Sequence, residues 1–163
     1  MKEYLARFLT SRWSISAING LILIVTIATL YRAAMLLTNL SNDFTEIEDL
    51  LDGVGMIFVA YGVALEERDS LMKFFGLYPK YFSPIEESID RSCHFYGLCL
   101  LLMGLFMELT VELVKLPNTV LNTAGAEGAI FGIGFFFCSC AAYLLIKLSM
   151  RSIWPEKNPP AEA

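Results

Sequence analysis

The sequence predicts an all-α integral membrane protein, with four transmembrane helices in an antiparallel bundle and both termini in the cytoplasm. Three observations carry this. Four stretches, 13–31, 53–65, 92–107 and 128–146, contain no Asp, Glu, Lys or Arg. The chain is 56% hydrophobic, with a mean hydropathy of +0.56 that is high for a soluble protein. Its Lys and Arg residues fall almost entirely on one side of the four stretches.

A bilayer core about 30 Å thick needs about 20 residues of helix. The spans are accordingly expected at about 13–38, 47–68, 91–115 and 124–150, which uses nearly the whole of one 163-residue domain. Residues 1–12 read as a short interfacial helix, because Tyr4, Leu5, Phe8 and Leu9 share one face. The first apolar run follows Lys2, Arg7 and Arg12 as a signal peptide's would. It exceeds a signal h-region in length and no small-residue cleavage site follows, so it is expected to be retained as a span. Residues 155–163 read as a flexible tail.

Orientation follows from charge. The N-terminus carries Lys2, Arg7 and Arg12, the second loop Arg68, Lys73, Lys80 and Arg91, and the C-terminus Lys147, Arg151 and Lys157. The opposite side has Arg32 and Lys115. The positive-inside rule then places both termini in the cytoplasm, with Trp13 and Trp154 at that interface. The net charge of −5 reflects acids gathered in two loops, and no basic run points to nucleic acid. Short loops and strong charge asymmetry point to a bacterial inner membrane.

Local signals set the helix ends. Thr45 with Glu48 reads as a capping box for the second helix. Ser83, Pro84, Glu86 and Glu87 read as a cap, a first-position proline and first-turn acids opening the third. Gly76 and Pro117 are expected to end the second and third helices. The aromatic connection 76–82 fits a headgroup layer or a docking surface.

Small residues recur at helix-packing intervals. Gly55 and Gly62 are seven apart, as are Gly97 and Gly104, while Ala124, Gly128 and Gly132 follow at spacing four. Such lines permit close helix approach. They either close the bundle or, for Gly128 and Gly132, join a second chain.

Charges at membrane depth are the candidate functional residues. Arg32, Asp52, Glu108, Glu112 and Glu127 all fall toward the outer leaflet. Glu108 lies about 22 Å along its helix from Cys93, and Glu112 shares its face one turn on. Arg32 is the expected partner of Glu108 or Glu112. The alternatives are a structural ion pair, a proton-linked carboxylate or oxygen ligands for a cation. Glu66, Glu67 and Asp69 form a cytoplasmic acidic cluster at a helix end, where they oppose the dipole. They either pair with Arg91, offer a docking surface or are simply solvated.

No cofactor is expected. The single His94 cannot supply a bis-histidine haem, and Cys93, Cys99, Cys138 and Cys140 form no CxxC pair and read as buried thiols. His94 beside Cys93 is a weak case for metal, so metal binding stays unassigned. There is no P-loop, GxSxG or HExxH motif, and Glu108 with Glu112 lacks the Glu-x-x-His companion of di-iron bundles. In size, helix count and orientation the chain is similar to the small four-helix membrane subunits of multicomponent transporters, such as the tripartite periplasmic-binding systems. That architectural similarity implies a non-catalytic subunit or accessory protein of a larger membrane complex. The alternative is a small homo-oligomeric cation or proton transporter or channel using the carboxylates. An intramembrane enzyme has only the two acids of the third helix as a foothold. The partners expected are the lipid bilayer and either a protein partner or further copies of the chain.

Overall fold

A computed structural model of the chain describes residues 12–38, 44–74, 84–116, 123 and 125–153. The expected interfacial helix, the 76–82 connection and the 155–163 tail lie outside them, as do Gly76, Ser83, Pro117, Ala124 and Trp154. The described residues are almost wholly helical: α1 Arg12–Thr38, α2 Phe44–Glu66, α3 Arg68–Phe74, α4 Pro84–Lys115 and α5 Glu127–Ile153.

Three segments are long and apolar enough to cross a membrane: Trp13–Leu36 in α1, Glu87–Lys115 in α4 and Glu127–Ile153 in α5. Only 33% of each apolar window is buried inside the protein. The remainder points outward, with Leu21, Ile24 and Ile27 on α1, Leu98, Leu102 and Leu105 on α4, and Ile133, Phe136 and Ile146 on α5 all exposed. A surface of this kind is stable against hydrocarbon and not against water. The chain is therefore a membrane protein. Helix α2 is not among the three, because Glu46, Glu48, Asp49 and Asp52 occupy its first nine residues.

The boundaries depart from the sequence reading in two places. Helix α2 begins at Phe44, so Thr45 sits inside the first turn and does not cap it. It ends at Glu66, a turn at Glu67 follows, and α3 takes up the chain at once. The Glu67 N–H still donates to Val63 O at 2.9 Å and the Leu71 N–H to Glu67 O at 2.9 Å, so the ladder is interrupted without being lost. Helix α4 opens at Pro84, where proline's missing N–H costs nothing. Before α5, Gly125 adopts φ +86°, a conformation that favours glycine.

Helix α4 packs most extensively on α2 and next on α5, and α1 lies mainly on α5. The α2–α4 seam is built from glycine. A Cβ at Gly62 would lie 2.6 Å from Leu101 N and 2.7 Å from Gly97 O. At Gly104 it would lie 2.7 Å from Gly55 O. Gly62 thus faces Gly97 and Gly55 faces Gly104, so the two helices run in opposite directions with their backbones touching. In lipid, where burial of apolar surface gives little drive between helices, this close approach is the main attraction. Around the seam, Leu51, Phe58, Leu100, Met107, Phe131, Cys138 and Leu145 are fully buried.

Two buried hydroxyls are satisfied by their own helix. Thr26 Oγ1 donates to Ile22 O at 2.8 Å and Thr110 Oγ1 to Met107 O at 2.6 Å, the usual recourse of a hydroxyl in an apolar helix. The Tyr61 hydroxyl donates to Asn19 Oδ1 at 2.5 Å and ties α1 to α2.

Candidate functional site

The charged groups gather at the two ends of the bundle. At the first end, α1 and α4 finish and α2 begins. Here Arg32 Nε lies 2.7 Å from Glu46 Oε1 across the α1–α2 contact. Both side chains are exposed. On the other side of α2, Lys115 Nζ lies 3.4 Å from Asp52 Oδ2 and 3.7 Å from Glu112 Oε1, with Glu48 nearby. Glu108 stands one turn deeper, near Asp52.

The expected pairing of Arg32 with Glu108 or Glu112 is corrected by this geometry. Arg32 is taken by Glu46, because α1 meets α2 at this end and packs elsewhere mainly on α5. Glu108 instead points into the glycine seam. Its Oε1 is buried without a hydrogen-bond partner, and a Cβ at Gly55 would lie 3.0 Å from it. Gly55 therefore does two things: it admits the α4 backbone and leaves room for the Glu108 carboxyl. Glu127 opens α5 and takes no part in these pairs.

At the second end, α2 stops, α3 follows and α4 enters. Glu66, Glu67 and Asp69 lie along an open groove of about 720 Å³, with Arg68, Asp90 and His94. An Arg68–Asp90 ion pair ties the α2–α3 junction to α4, with side chains 11% and 16% exposed. Arg91 sits 3.7 Å from Glu87 on its own helix. His94 Nδ1 is 3.7 Å from Glu66 Oε1, and Lys73 Nζ 2.6 Å from Asp69 Oδ2. The His94 position is thus exposed and beside a carboxylate, not hydrogen-bonded inside the bundle. Cys93 and Cys138 are buried, while Cys99 and Cys140 are partly exposed. Among the described residues, no three His, Cys, Asp or Glu side chains are grouped to hold a metal ion.

Of the candidate packing glycines, Gly55, Gly62, Gly97 and Gly104 form the α2–α4 seam, whereas Gly128 and Gly132 have nothing within 4 Å. The glycine that α5 places in the bundle is Gly134, where a Cβ would lie 2.8 Å from Thr110 Oγ1 and 3.0 Å from Leu51. Sequence reasoning passed over Gly134, Asp90 and the pairing role of Lys115. The i,i+3 spacing of Glu112 and Lys115 was a usable signal for the last. Comparison of the chain with protein-family models, with curated proteins and with solved structures returned no match.

Proposed function

We propose that this chain is a non-catalytic subunit of a larger membrane complex, such as a transporter, and that it contributes by packing another protein's helix against α5. One observation carries the reading. The inside of the bundle is filled by Leu51, Phe58, Leu100, Met107 and Phe131, while Gly128 and Gly132 on α5 face outward with nothing against them. A packed interior leaves the single chain little room for a polar passage. An outward pair of glycines one turn apart offers a close-approach surface that the chain itself does not use.

In this reading all four long helices cross the membrane, α2 with its acidic first turns at the outer surface. Both termini lie in the cytoplasm, since ten of twelve Lys and Arg then fall inside. The compact form and short loops favour a bacterial inner membrane. Native mass spectrometry of the protein, gently extracted from its own membrane, tests the proposal. A stoichiometric larger partner is the expected result. A clean homo-oligomer without one contradicts it.

A second reading has its own support in the unpartnered Glu108 oxygen beside Asp52. A carboxyl pair at membrane depth is a place where a proton or a cation can be held. An oligomer of the chain would then move that ion past the pair. Flux in proteoliposomes decides: Glu108→Gln abolishes it under this reading and leaves the bundle assembled, while intact flux in Glu108→Gln and Asp52→Asn sinks it.

A further inference from the structure

The cations of the described chain divide unevenly. Seven Lys and Arg side chains are described, and five of them lie beside a carboxylate: Arg32, Arg68, Lys73, Arg91 and Lys115. Lys147 and Arg151 have no carboxylate partner among the described residues. They stand one turn apart on the outer surface of α5, both exposed.

The helix terminus does not account for the pair. Arg151 lies in the last turn of α5 and meets the negative end of the dipole, but Lys147 lies before that turn, and the effect fades within one turn. Lys147 instead sits 5.0 Å over the Tyr143 ring. Tyr143, Ile146 and Met150 around it are exposed and apolar in bulk. The arrangement is an exposed aromatic ring and apolar side chains, with two cations at their edge that meet no carboxylate among the described residues.

We infer that Lys147 and Arg151 form a docking site for the phosphate headgroup of an anionic phospholipid in the leaflet at the C-terminal end of α5. A lipid fits better than a free phosphate because the flanking side chains, Tyr143, Ile146 and Met150, are exposed and apolar. A zwitterionic lipid carries its own cation beside the phosphate and gains less from the pair. The groove between α2, α3 and α4 at the same end differs: its two cations, Arg68 and Arg91, stand among Glu66, Glu67, Asp69, Glu87 and Asp90, so its balance is acidic.

The test is native mass spectrometry of the full chain in detergent with equimolar phosphatidylglycerol and phosphatidylcholine, reading the lipid retained. The wild type retains phosphatidylglycerol preferentially. Each cation near an anionic surface contributes about fivefold, so Lys147→Gln with Arg151→Gln lowers the preference about thirtyfold. Lys147→Arg with Arg151→Lys keeps it, and Lys73→Gln, which removes a paired cation at the same end, leaves it unchanged. Circular dichroism confirms that each variant keeps its helices. Equal retention of both lipids by the wild type overturns the inference, as does an unchanged preference in the double Gln variant. A loss with Lys73→Gln as large as with Arg151→Gln also overturns it, because general surface charge then explains the preference.

Discussion

Two groups of glycines in this chain share composition and differ in use. Gly55, Gly62, Gly97 and Gly104 meet the backbone or side chains of the facing helix, with Cβ positions 2.6–3.0 Å from the nearest atom. Gly128 and Gly132 meet nothing within 4 Å. The same residue, at helical spacing in an equally apolar helix, is consumed inside the bundle in one case and left on its surface in the other. In a lipid solvent, where apolar burial hardly discriminates, the fate of small residues records which contacts the chain makes for itself and which it leaves open.

Substitution separates the groups most sharply. Gly62→Ala drives a methyl into the backbone of Leu101 and Gly97, which cannot move aside as a side chain can. The expected cost is about 3 kcal/mol, seen as a lowered unfolding midpoint in detergent. Gly97→Ala, 2.7 Å from Glu66 N, behaves alike. If either is tolerated as well as Gly128→Ala, the two groups are not different and the seam is misassigned.

Next in size is Arg68→Ala at the α2–α3 junction. It leaves Asp90 largely buried without its partner, at an expected cost of about 2 kcal/mol once partial exposure is allowed for. Denaturant titration of Arg68→Ala against the double variant with Asp90→Ala checks this, because the double variant should recover part of the loss. Arg32→Ala at the other end removes an exposed pair and should cost under about 1 kcal/mol in the same titration.

Gly55→Ala lies between the groups. Its methyl meets the Glu108 carboxyl, the far end of a side chain that can swing away. Stability should fall by about 1 kcal/mol or less. The smallest effect belongs to Gly128→Ala and Gly132→Ala. In the isolated chain each should be neutral or stabilising by up to about 1 kcal/mol, because alanine is the better helix former and nothing stands in its way.

Much of the architecture was legible in the sequence because charge-free runs and Pro84 are local signals. Equal seven-residue spacing in Gly55–Gly62 and Gly97–Gly104 even matches the register in which they now face one another. Spacing places residues on a face, however, and does not say which way the face points. Gly134 turned inward while Gly128 and Gly132 turned out for that reason. The positions of Arg32 and Glu108 near one end of their helices were readable, but their neighbours were not. Arg32 found Glu46 because α1 meets α2 at that level, a fact of packing that no local pattern encodes. The hydrogen bond from Tyr61 to Asn19 was missed for the same reason.

The most direct measurement is photocrosslinking in native membranes from a probe placed at Gly132, compared with one at Met56, an exposed residue of α2. A subunit whose α5 face receives another helix gives one discrete, larger protein adduct from position 132 and lipid adducts alone from position 56. Lipid adducts alone from both positions would contradict the proposal that this face is where the chain joins its complex.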